Sequence, residues 1–264
     1  MLTLDLGNSR TKVRLWRLGP SSAPECLAST DFTGDSAEQE LAAWLEHQHP
    51  AVAALCSVAS AERTRRMLEL LSSRVPELHA SPPAGLSNRC RPPEGVGRDR
   101  LYAARGALAR LGCSCLVVDA GTALTVDAVR AVPAPAPEAG LFLGGAITPG
   151  PELLARALAQ GTANLPHVEP RPGAAALGQD TEAALRGGIA VGFRGAAERL
   201  VEEVARAAEL DAAPVVLTGG ARAFLLEPGP FTGRALHVEP ELVHRGLIEA
   251  VLGVGRGRRE ERRP

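Results

Sequence analysis

The feature that most constrains this chain is a short pattern that occurs twice and first appears at the N-terminus. Residues 2–6, LTLDL, alternate apolar and polar side chains, which is the period of a strand with one buried face. The turn formers Gly7-Asn8-Ser9 interrupt the run, and the alternation resumes at Lys12. Residues 2–16 are therefore predicted to form a β-hairpin.

The same pattern returns 114 residues further on, where Asp119-Ala120-Gly121-Thr122 corresponds to Asp5-Leu6-Gly7-Asn8. Each tetrapeptide lies between an apolar strand pattern and a second alternating segment. Strand and helix patterns also alternate along the rest of the chain, which is typical of an α/β protein. We therefore expect two similar halves, with both hairpin tips facing one cleft and clamping a polyphosphate from both sides.

The tip of the first hairpin has the chemistry of a phosphate site. Gly7 lets the backbone come close to a ligand, and consecutive N–H groups can form an anion-binding concavity. Lys12, the only lysine of the chain, adds a positive charge that suits phosphate. An ordinary hairpin whose turn is GNS remains the simpler alternative for this motif alone.

A second candidate segment, Gly97-Arg98-Asp99-Arg100, stands at the head of a predicted helix that ends near Gly112. One arginine could bind an acidic substrate while Asp99 accepts its hydroxyl proton. Arg98 and Arg100 are expected to keep the Asp99 carboxylate ionised, because nearby positive charge favours the charged form. A helix-capping aspartate between solvated arginines is the structural alternative.

Further candidates follow other predicted strands. Asp5 and Asp119 end strands beside glycine turns, where each could hold a cation against phosphate oxygens. Asn8, Ser9 and Thr122 offer short hydrogen-bond donors. Gly219-Gly220 follows a predicted strand and could pass close to an adenosine. Gly144 to Gly150 follows a short predicted strand at Leu141–Phe142. Simple turn chemistry is the alternative for both glycine motifs.

Composition excludes several classes of protein. Lys and Arg number 29 against 30 Asp and Glu, so the net charge of −1 argues against a general nucleic-acid binder. No apolar run approaches the roughly 20 residues of a membrane-spanning helix, and no signal peptide is expected. The five cysteines favour neither a disulfide framework nor a metal cluster, which suits a reducing cytoplasm.

Together these segments resemble the type III pantothenate kinases, bacterial enzymes of the acetate and sugar kinase, heat-shock ATPase and actin superfamily. The resemblance covers nearly the whole chain in order and includes Asp5 to Lys12, Gly97 to Arg100, Asp119 to Thr122 with Thr125 and Asp127, Gly144 to Gly150, Gly178 to Thr181 with Ala184 and Gly188, and Thr218 to Gly220. It implies two ribonuclease-H-like halves around a nucleotide cleft, a homodimer, and ATP-dependent phosphorylation of pantothenate, the first step of coenzyme A biosynthesis.

The resemblance also implies roles for individual residues. ATP would be bound by Asp5, Leu6, Gly7, Asn8, Ser9, Arg10, Thr11, Lys12, Thr122, Gly219 and Gly220. Pantothenate would be held by Gly97, Arg98, Asp99, Arg100, Thr181 and the position of Cys90, with Asp99 as the proton acceptor. Asp119 would ligate a monovalent cation, potassium or ammonium, while Asp5 would hold magnesium, through water. One position departs from the family, which usually has a tyrosine where this chain has Cys90.

The expected organisation is an N-terminal half at residues 1–112, a C-terminal half at 113–252 and a disordered tail at 253–264. A final helix is predicted from Leu242 to Leu252, and a largely helical segment from Thr181 to Leu210 carries glycines that either interrupt it or admit another backbone. Two other functions stay open. One is another small-molecule kinase of the superfamily, which the GxDR segment and the short length disfavour. The other is a catalytically silent nucleotide-binding regulator, which the intact Asp5, Asp99 and Asp119 disfavour.

Overall fold

The computed structural model describes residues 1–8, 10–19, 22–34, 36–133, 138–226, 231 and 233–260, with residues 254–260 described by their backbone alone. The helices and strands follow one another in the order β1 (Leu2–Leu6), β2 (Arg10–Arg17), β3 (Glu25–Thr33), α1 (Ala37–Leu45), β4 (Val52–Ser57), α2 (Ala61–Ser72), β5 (Glu77–Ala80), β6 (Leu86–Asn88), α3 (Arg98–Leu111), β7 (Cys115–Ala120), β8 (Ala123–Ala131), β9 (Gly140–Pro149), α4 (Pro151–Gly161), α5 (Thr181–Ala207), β10 (Val215–Thr218), α6 (Ala223–Leu226), β11 (Leu236–Val238) and α7 (Leu242–Glu260).

The chain divides into two compact units that do not follow a single cut in the sequence. The first comprises Met1–Arg110, Val132–Gly140 and Glu241–Pro264, and the second comprises Leu111–Ala131 and Leu141–Pro240. The sequence predicted one boundary after residue 112 and placed the last helix in the C-terminal half. In the structure α7 belongs to the first unit, because it packs against β1 and β4.

The sheet of the first unit has the strand order β3-β2-β1-β4-β5. β1 and β2 form the predicted antiparallel hairpin, and β4 runs parallel to β1 on its other side. The leucines of β1 pack with α1 and α2 into one apolar core, whose buried members include Leu2, Leu4, Leu6, Leu41 and Met67.

The strands of the second unit, which belong to a six-stranded sheet, repeat this arrangement in the order β9-β8-β7-β10-β11. β7 and β8 are antiparallel, and β10 runs parallel to β7, as β4 does to β1. The core of this unit packs the apolar residues of β7 and β8 against Phe193, Ala197 and Val201 of α5. The predicted α/β fold with two similar halves is therefore confirmed.

The strand β1 is buried on both faces, whereas its alternating pattern predicted only one buried face. Thr3 is fully buried and Asp5 is 7% exposed, because α7 covers the face opposite to the leucine core. The Trp16 indole Nε1 donates to Thr3 Oγ1 at 2.7 Å, and Thr3 Oγ1 lies 2.8 Å from His244 Nδ1. A polar network thus ties α7 to the first hairpin.

Two glycines allow α7 to pack closely on α3. A Cβ at Gly106 would overlap the Leu242 carbonyl oxygen, and a Cβ at Gly246 would overlap the Tyr102 carbonyl oxygen. Because these positions carry only hydrogen, the two helix backbones come into direct contact. The helix that begins at Arg98 is therefore fixed against the C-terminal helix of the chain.

Two segments differ from their predicted form, and a third decides between two stated alternatives. The Gly144–Gly150 motif lies mostly in the ten-residue strand β9 and is not a turn. The helix α5 is continuous, so its glycines do not interrupt it. The helix α7 extends to Glu260, so residues 253–260 have a helical backbone where a disordered tail was expected, although the glycines at 253, 255 and 257 have low helix propensity. Among the described residues, no helix has both the length and the apolar character needed to cross a bilayer.

Candidate active site

The first hairpin presents an aspartate and a lysine side by side. Asp5 and Lys12 are cross-strand partners in the β1–β2 ladder, so their side chains share one face of the sheet. Lys12 Nζ donates to Asp5 Oδ2 at 3.1 Å, with the lysine side chain 32% exposed and the aspartate side chain 10% exposed. This arrangement brings the only lysine of the chain beside a strand-end carboxylate, as the sequence predicted.

The turn between the two strands is held by its own backbone. The Gly7 N–H donates to the Arg10 carbonyl oxygen at 2.9 Å, and Asn8 is exposed at the tip. Ser9 was also predicted to bind ATP, and it lies outside the described residues. Leu6 and Thr11 are fully buried on the face opposite to Asp5 and Lys12, so only their backbone atoms are available to a ligand at the tip.

Asp99, in the first turn of α3, lies in the same unit as this hairpin. Its Oδ1 accepts a hydrogen bond from the Arg100 backbone N–H at 2.8 Å. Burial raises the pKa of Asp99, and the negative charge of Asp5 raises it further, while the Arg100 hydrogen bond and the charges of Arg100 and Lys12 oppose the rise. The charges of both hairpin residues therefore act on this carboxyl group.

The direction of this pKa shift corrects an expectation from the sequence. Arg98 and Arg100 were expected to hold the Asp99 carboxylate in its ionised form, but Arg98 is exposed and burial is the dominant influence. A raised pKa makes a carboxylate a stronger base, and catalytic carboxyl groups are commonly tuned in this direction. The raised pKa of Asp99 therefore favours a role as a general base over that of a solvent-exposed helix-capping residue.

Two buried residues near Asp99 were not singled out from the sequence. Cys56 is the parallel-strand partner of Asp5 in β4, and the charges of Asp5 and Asp99 both help burial to raise the pKa of its thiol. Tyr102 lies one helical turn after Asp99, and its hydroxyl donates to the Pro82 carbonyl oxygen at 2.5 Å. The strand pairing of β4 with β1 was the signal that could have located Cys56.

Gly97 is required by the position of the Asp99 side chain. A Cβ at residue 97 would lie 2.5 Å from Asp99 Oδ1, so any larger residue would displace the carboxylate. Cys90 is half-buried in the preceding loop, where its N–H donates to Asn88 Oδ1 at 3.0 Å. The loop that carries the predicted substrate residues is therefore held in place by its own polar contacts.

The second hairpin has the same strand pairing but a different partner for its aspartate. Asp119 pairs with Thr125, where Asp5 pairs with Lys12, because the second turn is one residue shorter than the first. The Gly121 N–H donates to the Ala123 carbonyl oxygen at 2.9 Å. Within the described part of the chain, the buried Thr125 Oγ1 has no hydrogen-bond partner.

The glycines of the Gly144–Gly150 motif allow its backbone to pack directly against the second hairpin. A Cβ at Gly145 would overlap the Val126 carbonyl oxygen, and a Cβ at Gly150 would overlap the carbonyl oxygens of Gly121 and Thr122. The Gly150 N–H donates to the Thr122 carbonyl oxygen at 2.9 Å. The Gly144–Gly150 motif thus stabilises the turn of the second hairpin through contacts made from a neighbouring segment.

Gly219 and Gly220 follow β10, which runs beside β7. Gly219 has φ +94°, and a Cβ there would overlap the Ala120 carbonyl oxygen and Asp119 Oδ1. The requirement for glycine at 219 is therefore explained by contacts within the protein. A Cβ at Gly220 would meet no atom of the described residues within 4 Å, so this position borders open space in that part of the chain.

Thr181 is the first residue of α5 and is exposed, one position after the N-cap Asp180. It also borders a groove of about 770 Å³ between α4 and α5, lined by small and apolar residues such as Leu154, Leu158, Gly188 and Gly192. Within the part of the chain that the structure describes, a Cβ at Gly188 or Gly192 would meet no atom within 4 Å. This face of α5 therefore leaves room for close approach of another backbone.

The described residues contain no group of three or more His, Cys, Asp and Glu side chains placed to hold a metal ion. A metal bound by the described residues would therefore have at most two such side chains as ligands, together with other oxygen ligands. Magnesium commonly binds in this way in phosphoryl-transfer enzymes, through one or two carboxylates, water and substrate phosphates. Asp5 in the first unit and Asp119 in the second each offer one carboxylate of this kind.

Comparison with solved structures defines the class of protein. A Sinorhizobium meliloti protein assigned as a 2-dehydro-3-deoxygalactonokinase superposes with a TM-score of 0.53 at 17% sequence identity, covering 96% of each chain. With the paired hairpins, this likeness shows that the chain has the α/β fold of that protein.

Sequence comparison narrows the class to one family. The family model for type III pantothenate kinase matches residues 1–203. Type III pantothenate kinases of Thermus thermophilus and Synechococcus elongatus are 33% and 32% identical to the chain, covering 97% and 93% of it and 100% and 94% of their own lengths. The chain belongs to the type III pantothenate kinase family, whose members carry out the first step of coenzyme A biosynthesis.

Proposed function

We propose that this chain transfers the γ-phosphoryl group of ATP to the primary hydroxyl of pantothenate, with Asp99 accepting the hydroxyl proton. The observation that carries the proposal is the association within one unit of the Asp5–Lys12 pair and the Asp99 carboxyl group, whose pKa is raised by burial and by Asp5. A cation beside phosphate and a base beside the acceptor are the two requirements of phosphoryl transfer.

The first hairpin supplies the phosphate contacts in this proposal. Lys12 neutralises phosphate charge, and the backbone N–H of Asn8 in the turn donates to a phosphate oxygen. Thr122 contributes from the tip of the second hairpin, where it is exposed, and Gly220 borders the open space after β10 that suits the adenosine. Leu6 and Thr11 take part through their backbone only, because their side chains are buried in the core.

Two cations complete the ATP site in this proposal. Asp5 holds magnesium through water, and magnesium supplies charge neutralisation at the phosphates when it is bound. Asp119 ligates a monovalent cation, potassium or ammonium. The unpartnered, buried Thr125 hydroxyl supports this second site, since it is a further oxygen ligand on the same face as Asp119.

Pantothenate is held by the Gly97 to Arg100 segment and by Thr181. Its carboxylate suits an arginine, and Arg100 is the partly buried arginine of the segment while Arg98 is exposed. Cys90 stands where the family usually has a tyrosine, so its contact with the substrate is smaller and lacks the phenol hydroxyl.

The functional unit that we propose is a cytoplasmic homodimer formed through the α4–α5 groove. Gly188 and Gly192 lie four residues apart on α5 and leave open space, which supports close packing against the same helix of a second copy. Thr181 borders this groove, so the dimer would bring the substrate residue of one copy close to its partner. Free thiols at all five cysteines suit a reducing compartment.

A coupled assay for ADP release tests the function. We expect ADP release in the presence of magnesium and potassium to require pantothenate and to yield phosphopantothenate. Release stimulated by another small alcohol but not by pantothenate would assign the chain to a different kinase activity. ATP binding without any ADP release would indicate a regulatory protein that has lost catalysis.

A further inference from the structure

Arg63 reaches from the first turn of α2 to the turn of the first hairpin. Its Nη1 donates to the carbonyl oxygens of Gly7 and Asn8, both at 2.9 Å, and its Nη2 donates to Thr11 Oγ1 at 3.0 Å. One guanidinium therefore contacts both ends of the turn. The exposed arginines that follow it, Arg65 and Arg66, pair instead with glutamates of α1 and α2.

The direction of approach separates Arg63 from the ligand-facing side chains. Thr11 points to the face of the sheet that packs on α2, whereas Asp5 and Lys12 occupy the opposite face. The start of α2 is fixed by Ser60, whose Oγ accepts the Arg63 backbone N–H at 3.3 Å. Arg63 is therefore fixed at its own backbone and contacts the turn from the face opposite to Asp5 and Lys12.

The hydrogen bond from Arg63 to the Gly7 carbonyl oxygen also sets the direction of a backbone N–H group in the turn. A trans peptide directs its C=O and its N–H to opposite sides. Because the Gly7 carbonyl oxygen is bound by Arg63, the N–H of Asn8 in the same peptide points away from Arg63. The guanidinium thus directs the Asn8 N–H toward the side where a phosphate would bind.

The second hairpin has the same restraint from a different donor. Thr122 corresponds to Asn8, and its carbonyl oxygen accepts the Gly150 N–H at 2.9 Å. The carbonyl oxygens of Asn8 and Thr122 thus both accept a hydrogen bond from outside their own turn, from the Arg63 side chain in one unit and from the Gly150 backbone in the other. Because two different donors bind the carbonyl of the second turn residue, the orientation of that carbonyl matters for the turn.

We propose that Arg63 is a positioning residue for ATP binding, which fixes the Gly7–Asn8 peptide so that the Asn8 N–H faces the phosphates. The inference rests on the proposed role of the first hairpin as a phosphate site. Arg63 itself does not touch ATP. Its loss should therefore weaken ATP binding through the turn and leave the pantothenate site unchanged.

The test compares Arg63→Gln and Arg63→Lys with the control Arg65→Gln, which removes an arginine from the same helix. Since hydrogen bonds from a charged group are individually strong, we expect KM for ATP to rise about 10-fold to 100-fold in Arg63→Gln. KM for pantothenate should stay within about twofold of the parent value. Arg63→Lys, which keeps the charge but cannot span three acceptors, should give a smaller rise, and Arg65→Gln none.

A structural readout accompanies the kinetics. Amide hydrogen exchange at Gly7, whose N–H donates to Arg10, should accelerate in Arg63→Gln without ATP and remain at the parent rate in Arg65→Gln. Unchanged exchange at Gly7 together with an unchanged KM for ATP would overturn the inference. If Arg63→Gln does not fold, the comparison of Arg63→Lys with Arg65→Lys decides the question in the same way.

Lys12→Met separates this inference from the proposed function. A raised KM for ATP in Lys12→Met with no change in either Arg63 variant would disprove the role of Arg63 and leave the phosphate hairpin intact. An unchanged KM for ATP in Lys12→Met would disprove the phosphate hairpin itself. A rise in both supports the inference.

Discussion

Lys12 and Thr125 hold equivalent positions in two equivalent hairpins. Each is the cross-strand partner of the aspartate near the end of the first strand, Asp5 in one case and Asp119 in the other. A lysine ammonium therefore lies beside the first carboxylate, whereas the second carboxylate has a neutral hydroxyl across from it. The two halves share a backbone pattern but differ in charge, which is the basis for proposing a monovalent cation only at Asp119.

The Asp119 site predicts a dependence on potassium. Thr125→Val keeps the shape of the side chain and removes its oxygen, so the potassium concentration for half-maximal activity should rise about tenfold. Asp119→Asn should abolish the stimulation by potassium and weaken ATP binding. Initial rates of ADP release in sodium and in potassium buffers measure both effects. Equal activity of the parent enzyme in the two buffers would show that the monovalent site is wrongly assigned.

Asp99→Asn should lower turnover by roughly two to three orders of magnitude, within the usual range for loss of a general base, with ATP affinity little changed. The control is Asp211→Asn, which removes an exposed carboxylate from the other unit. Near-normal turnover in Asp99→Asn would leave Asp99 as a helix-capping residue. Loss of ATP binding in that variant would point to a metal or structural role.

The pH dependence of the reaction provides a second test of Asp99. A base must be deprotonated to act, so kcat/KM for pantothenate should fall as pH falls through the Asp99 pKa. Because burial raises that pKa above 3.8, the acid limb should lie above the ordinary aspartate range. Rate profiles between about pH 4 and 8 measure the limb, which should be absent from the residual activity of Asp99→Asn. A limb that survives in this variant would assign it to another group.

Gly192→Leu should convert the proposed dimer into a monomer. A Cβ at residue 192 would meet no atom of the described residues within 4 Å, and leucine favours a helix interior by up to about 1 kcal/mol over glycine, so the fold should be retained. Analytical ultracentrifugation measures the change, with Arg206→Leu at the exposed end of α5 as the control. A Gly192→Leu dimer of unchanged affinity would exclude this face as the interface.

Acid should destabilise the fold through His244. Burial lowers the pKa of His244 well below 6.5, and the charges of Arg14 and Lys12 lower it further. The unfolded chain then binds one more proton than the folded chain below about pH 6.5, so the free energy of unfolding falls as pH falls. The slope attributable to His244 should approach about 1.4 kcal/mol per pH unit.

Urea unfolding at several pH values, compared between the parent, His244→Asn and the exposed-site control His47→Asn, measures this slope. The acid loss of stability should be smaller in His244→Asn and unchanged in His47→Asn. Equal slopes in all three proteins would show that His244 can accept a proton without unfolding, contrary to its complete burial.

The sequence predicts much of this fold because its signals are local. Both hairpins appear as alternation around a glycine turn, and their repetition predicts two similar halves. The strand β3 leaves a weak pattern because most of its residues are exposed, and the burial of Thr3 depends on α7, more than 200 residues away. Contacts between distant segments leave no periodic trace in either one.

The candidate site also divides into residues that local sequence signals reveal and residues that depend on contacts between distant segments. Asp5, Lys12 and Asp119 lie beside glycine turns and can be found from the motif, whereas Arg63 has the appearance of any arginine on a solvated helix. The raised pKa of Asp99 arises from burial, which the adjacent arginines obscure in the sequence. Thr125 becomes informative only through its register with Asp119, which depends on a turn one residue shorter.

The division of the chain into units has a consequence for the order in which the protein is built. The second unit ends at Pro240, so all of its residues have been synthesised before the last helix is made. The first unit needs α7 to cover Thr3 and to pack through Gly246 against the helix that carries Asp99. The first unit is therefore begun before the second and completed after it, and a nascent chain stopped before residue 241 has its second unit whole but lacks the helix that packs behind the proposed catalytic base.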